Sequence, residues 1–186
     1  MNIGDSMHVF YILIIIFITV CFLLIWLITT YNRFQSYIIR INEAENFIDT
    51  TLRKRYDLLN KSINIIKKHT KEKGKILESI DEMKSKKLSN FELDRKLYEG
   101  INEFNKYKEN EELSNKENFL KIDLGLFESE AEIVAARKYY NDIITDYNKL
   151  TISFPTNLVA KIFKYSKKTY YDGKDLDSEK NESLKI

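Results

Sequence analysis

Twenty-two consecutive residues, Val9 to Thr30, carry no charge (VFYILIIIFITVCFLLIWLITT). As a helix rising ~1.5 Å per residue the run is about 33 Å long, enough for a bilayer core of roughly 30 Å. The rest of the chain is too small and too charged to enclose it as a core helix, so the run predicts one membrane span. Tyr11, Trp26 and Tyr31 fall near its ends, where amphipathic rings favour the headgroup layer. A cleaved signal peptide fits less well. No Lys or Arg precedes the run, it exceeds an ordinary apolar h-region, and Thr29-Thr30-Tyr31 is not a small-residue cleavage site. Asp5 and His8 lie ahead of the run, and Arg33, Arg40 and Arg53-Lys54-Arg55 lie behind it. The positive-inside rule then places the amino terminus outside the cell membrane and the remainder in the cytoplasm. Cys21, in mid-span, reads as an apolar filler.

Beyond the run the apolar spacing is helical. Phe34, Ile38, Ile41, Ile48, Leu52, Leu59, Ile63, Ile66, Leu77 and Ile80 form one stripe, with Glu45 and Arg55 at places in it. No Pro or Gly interrupts it before Gly74, so a first helix of several turns is expected to continue straight from the span, reaching Leu88 if it is unbroken at Gly74. Ser89-Asn90-Phe91-Glu92 reads as a capping box, with Leu88 and Leu93 as a hydrophobic staple, and opens a second helix expected over 90–112. Ser114-Asn115-Lys116-Glu117 repeats the signal ahead of a third helix. Its stripe is Phe119, Ile122, Leu126, Ile133, Ala136, Tyr140, Ile143, Tyr147 and Leu150. Pro155 stops that helix, and Thr156 or Asn157 can cap a short fourth one carrying Leu158, Val159, Ile162 and Phe163. The expected fold is all-α: a single amino-terminal transmembrane helix, then an antiparallel up-and-down bundle of three long helices and a short fourth. The segments are 1–8 outside, 9–30 spanning, 31–171 bundle and 172–186 a polar, disordered tail.

Charge and motif content narrow the function. Lys and Arg number 30 against 28 Asp and Glu, too even for a nucleic-acid binder. Residues 53–87 hold 12 basic and 5 acidic side chains, whereas 92–146 hold 8 and 14, so packed neighbours of opposite charge are expected. One Cys and two His leave no multi-thiolate site and little for zinc. No H-E-x-x-H, di-iron Glu-x-x-His, G-x-S-x-G or glycine-rich phosphate loop occurs. Glu45 and Asp49 share a helix face, but the sequence offers no acid–base partner beside them. No catalytic residue, cofactor, metal or small-molecule substrate is expected, and the chain does not read as an enzyme.

Several motifs together resemble the LemA family of bacterial membrane-anchored helical proteins. They are Ala136-Arg137-Lys138-Tyr139-Tyr140-Asn141-Asp142, Asp146-Tyr147-Asn148 and Phe154-Pro155-Thr156-Asn157-Leu158-Val159-Ala160, with Glu117-Asn118-Phe119-Leu120 and Glu130 upstream. Tyr31-Asn32, Glu43-Ala44, Ile48-Asp49 and Leu52-Arg53-Lys54-Arg55-Tyr56-Asp57-Leu58 match its first helix, so the likeness covers about residues 31–171. The family usually has Trp where Glu45 stands and Pro where Asn60 stands, the latter implying a straighter first helix here. The resemblance implies an anchored bundle, with Arg55, Asp57, Glu130, Arg137, Asn141, Tyr147, Asn148, Phe154 and Pro155 as structural motif residues.

Two functional readings follow. The first is a non-catalytic, membrane-tethered scaffold or interaction module. It meets the bilayer through residues 9–30 and a membrane-protein partner, or a second copy, through its bundle. The alternative is a membrane-surface or membrane-organising protein whose short last helix meets anionic lipid through Lys161, Lys164 and Lys168. A straight first helix would rise about 80 Å and the second return only about 35 Å. Phe34, Ile38, Ile41, Glu45 and Ile48 would then lack cover within the chain and form an interface between parallel copies. A bend near Gly74 would instead fold the bundle over them.

Overall fold

In the computed structural model the structure describes residues 3–69, 83 and 88–171. Among the described residues every regular element is helical, and the chain is all-α. Helix α1 is Ile3–His69, α2 is Asn90–Lys106, α3 is Glu111–Ser114, α4 is Glu117–Ile152 and α5 is Thr156–Ile162. Residues 70–82 and 84–87, with Leu77, Ile80 and the expected bend near Gly74, lie outside the described residues, as does the tail 172–186. α1 contains one stretch long and apolar enough to cross a membrane, by length and composition. Its side chains from Val9 to Val20 are all exposed.

Contacts divide the chain into two units, Met1–Arg40 with Ile143–Lys168, and Ile41–Asp142 with Thr169–Ile186. In the first unit Phe34 is fully buried, stacked on Tyr165 at 4.5 Å between ring centroids and edge-on to Tyr147 at 5.9 Å. Gln35 Nε2 donates to the Tyr165 hydroxyl at 2.8 Å. After α5, Lys164 takes a positive φ of 58°. The Tyr165 N–H then reaches the Ala160 carbonyl at 2.8 Å, closing a Schellman cap in which glycine is the usual residue. The expected side-chain cap on α5 is not formed. Thr156 instead donates its hydroxyl to the carbonyls of Leu150 and Ser153 at 2.6 and 2.9 Å, satisfying the free end of α4. The Phe154–Pro155 peptide is cis.

In the second unit the apolar stripes meet. Ile41, Ile48, Leu52 and Leu59 of α1, Leu97 and Phe104 of α2, and Phe119, Leu126 and Ile133 of α4 are all buried. Glu45 meets Tyr140 and Arg55 meets Glu130, so partners fall along α4 as they rise along α1 and the two segments run in opposite directions. Glycine permits the closest approaches. A Cβ at Gly100 would lie 3.1 Å from Leu59 Cδ1, and one at Gly125 3.1 Å from Leu58 Cδ1.

The capping box at Ser89 forms as read. Ser89 Oγ accepts from the Glu92 N–H at 3.3 Å, and Glu92 Oε2 accepts from the Ser89 N–H at 3.0 Å. The Ser89 N–H and hydroxyl hold the Glu92 carboxyl below its ordinary range. The second helix stops earlier than expected, at Lys106. A 3-10 turn, Tyr107–Glu109, follows, and Asn110 Oδ1 then accepts from the N–H groups of Glu112 and Leu113 to start α3. Ser114 and Asn115 close α3 by donating to the Glu111 carbonyl rather than opening α4.

The stripe that follows the apolar run is the main correction. Phe34, Ile41 and Ile48 are buried, Ile38 is half-buried, and only Glu45 of the five is exposed. The 36-residue α4 reaches back beside α1, and its Tyr147 is what lies edge-on to Phe34. Phe34, Ile41 and Ile48 are covered within their own chain, so the missing cover from which an interface between copies was expected is not found.

Candidate functional site

Most of the motif residues that face inward converge in the second unit. Arg55 projects from α1 and is 0% exposed. Its Nη2 donates to Glu130 Oε2 at 2.7 Å and its Nη1 to the Ser129 carbonyl at 3.4 Å, while Nε is buried without a partner. A buried guanidinium is tolerable only with such a counter-charge, and a neutral carbonyl alone would leave its desolvation largely uncompensated. Arg137 of α4 donates from Nη2 to Asp94 Oδ1 of α2 at 2.7 Å, and its Nε is likewise buried and unpartnered. Asp94 is buried, and its other oxygen lies 3.2 Å from the Tyr171 hydroxyl, which is also 3.1 Å from the Asn90 carbonyl. The Tyr171 N–H donates to Asn141 Oδ1 at 2.9 Å, and the Arg137 guanidinium lies 5.9 Å from the Tyr171 ring centre.

Glu45 stands at the edge of this cluster. Tyr140 donates its hydroxyl to Glu45 Oε1 at 3.3 Å. Burial, and then the neighbouring Glu45 carboxylate, push the Tyr140 phenol up to about 12. Burial and then Asp94 push Tyr171 well above the ordinary phenol value. Both phenols are protonated near neutral pH and serve as hydrogen-bond donors. Beside them a groove of about 280 Å³ is lined by Glu45, Ile48, Asn90, Phe91, Tyr140 and residues 169–171. Among the described residues no group of three or more His, Cys, Asp or Glu side chains could hold a metal ion.

The other motif residues have separate places. Asn148, buried in the first unit, grips the backbone of Lys168 twice: its Nδ2 donates to the Lys168 carbonyl and its Oδ1 accepts from the Lys168 N–H, both at 2.8 Å. Tyr147 is buried against Phe34, and burial raises its phenol. Asp57, Phe154 and Pro155 are exposed. The sequence reading missed Asp94 and Tyr171. Asp94 sits three residues before the buried Leu97 on the inward face of α2, the same sign that singled out Arg55. Tyr171 lies past the last helix, in a stretch without periodicity.

The expected opposition of charge also appears in one particular pair. Lys54 of the basic stretch meets Glu132 of the acidic one at 3.0 Å, whereas Lys108 and Asp123, which also pair, both lie in the acidic stretch. Both lysines are partly exposed, so each pair contributes at most about 1 kcal/mol. A different outward feature is apolar. Leu120, Leu124, Phe127, Ala131 and Val134 are all exposed on α4 at alternating spacings of four and three, the pattern of a coiled-coil seam.

These features define an all-α protein with one long amino-terminal apolar stretch and arginine–carboxylate pairs between its helices, each with one buried member. The LemA family model matches residues 44–185, and the chain belongs to the LemA family. The match takes in Arg55, Glu130, Arg137, Asn141 and Asn148, while Tyr31, Asn32 and Glu43 lie ahead of it. Among curated proteins, no match to the chain is found.

Proposed function

We propose that the chain is a non-catalytic, membrane-tethered scaffold or interaction module. In this reading residues 9–30 cross the cell membrane once with the amino terminus outside. An antiparallel up-and-down bundle then stands in the cytoplasm and meets a membrane-protein partner. The observation that carries it is the pairing, within one helix, of an exposed apolar stretch with the buried seam of Ile41, Ile48, Leu52 and Leu59. The stretch and the seam thus belong to one continuous helix, Ile3–His69. The buried polar groups fit a structural role, since Arg55, Asp94, Arg137 and Tyr171 are engaged with one another or with neighbouring helices. The exposed α4 seam supports an interaction surface, because monomers seldom leave a continuous apolar line in water.

A photo-crosslinking side chain at Phe127 in intact membranes tests the reading. An adduct with a membrane protein is expected at Phe127 and Leu124, and none from the buried position Ile133. If Leu120, Leu124, Phe127 and Val134 give no more adduct than Ile133, the interaction reading falls.

A further inference from the structure

We propose that the Phe154–Pro155 turn and helix α5 sit in the headgroup–acyl boundary of the bilayer, alongside the point where α1 leaves it. This rests on the reading of residues 9–30 as a membrane span. All the residues concerned belong to the first unit.

Three observations converge. First, α5 has two apolar faces where a soluble capping helix needs one. Val159 and Ala160 are buried, yet Phe154 is 79% and Ile162 64% exposed, with Ile152, Leu158 and Phe163 also exposed. On α5 itself Leu158 and Ile162 lie four residues apart on one outward face, and Phe154 is exposed in the turn just before it. Second, this face lies level with the end of the apolar run. Tyr31 packs on Phe163 at 4.8 Å, and Tyr147 lies beside Phe34. Ile152 is five residues beyond Tyr147 toward the apolar run, about 7 Å at ~1.5 Å per residue, which brings it to roughly the level of Thr29. Third, the charge is of one sign. Between Asp146 and Asp172 there are five lysines (Lys149, Lys161, Lys164, Lys167 and Lys168) and no acidic residue.

Apolar side chains at the depth of the acyl boundary with lysines beside them are the arrangement of an interfacial helix. Lys164 adds to the argument. It occupies the left-handed position of the Schellman cap, where glycine would be unstrained, so a cation stands there against local backbone preference.

Depth-dependent quenching in phosphatidylcholine–phosphatidylglycerol vesicles tests this with the full chain. In a Cys21→Ser background, single cysteines replace Phe154, Ile162, Ile15 or Phe127, all exposed and outside the core, and carry an environment-sensitive fluorophore. Lipids with a nitroxide near the headgroup should quench the labels at 154 and 162 at least twofold more than the label at 127. Lipids with a nitroxide deep in the acyl chain should quench the label at 15. Labels at 154 and 162 that match 127, with 15 still quenched, would overturn the interfacial placement and leave the span standing. Loss of quenching at 15 as well would overturn both. Shallow quenching that is unchanged when phosphatidylglycerol is left out would remove the lysines from the proposal.

Discussion

Replacing Glu130 with glutamine keeps the shape of the side chain and removes the negative charge facing Arg55. The bond it weakens is 2.7 Å long and charge-assisted, a type that contributes about 1.5–3 kcal/mol. Stranding a deeply buried charge can cost ~3–5 kcal/mol. Glu130, however, is itself 46% exposed, so water can approach Arg55 Nη2 once the carboxylate charge is gone. The expected loss is therefore about 2 kcal/mol, or for a chain of this length a fall in Tm of roughly 4–8 °C. Arg55→Met should behave differently. It removes the buried charge and the unpartnered Nε together, and leaves a carboxylate already half in water. Its cost should stay within about 1 kcal/mol, since apolar replacement of buried ion pairs is often near neutral. The double variant should resemble Arg55→Met alone. Thermal unfolding of the full chain in detergent, followed by tyrosine fluorescence, reads all three. If Arg55→Met costs as much as Glu130→Gln, Arg55 contributes through packing and its other contacts, and the account of a charge tolerated for its partner is wrong.

Four further outcomes are expected. Asn148→Ala loses both bonds to the Lys168 backbone and should cost about 2 kcal/mol by the same unfolding assay, with Asn148→Asp recovering at most the accepting half. Gly125→Val pushes a branched side chain toward Leu58 and should cost ~1–3 kcal/mol, while Gly125→Ala stays closer to the parent. The raised Tyr140 phenol contributes stability that is complete below about pH 10, the ordinary phenol value, and is lost as pH rises toward about 12; Glu45→Gln should move the ultraviolet titration of that phenol downward. The depressed Glu92 carboxyl acts in the opposite sense: its contribution is present above the ordinary carboxylate range and lost as pH falls through its lowered value, a loss that Ser89→Ala should lessen but not abolish, since the backbone N–H at position 89 remains.

What the sequence disclosed was set by periodicity. All nine residues of the third-helix stripe, from Phe119 to Leu150, are buried, because an amphipathic pattern sustained over about nine turns admits one inward face. Ser89 and Glu92 were legible for a similar reason: capping is local chemistry, decided within four residues. The break after Lys106 was missed because Asn110 caps a single turn without any Pro or Gly to mark it. The second capping signal marked the start of α4 near Glu117, although the Ser114 and Asn115 side chains donate to a nearer acceptor, the Glu111 carbonyl. Pairings between distant segments were out of reach altogether. That Arg55 would meet Glu130, or that Asp94 would hold both Arg137 and Tyr171, depends on helix register, which one-dimensional spacing does not encode. The covered stripe at Phe34, Ile41 and Ile48 was misjudged for the same reason, since its cover comes from elements more than a hundred residues away, such as Tyr147 and Tyr165 on Phe34.

The tethered orientation is tested most directly by cysteine accessibility in intact cells. In the Cys21→Ser background one variant carries Asn2→Cys and another Leu124→Cys. A membrane-impermeant maleimide should label the first in intact cells and the second only after the membrane is permeabilised. Labelling of Leu124→Cys in intact cells, with Asn2→Cys protected, would contradict a cytoplasmic bundle held by an outward-facing amino terminus.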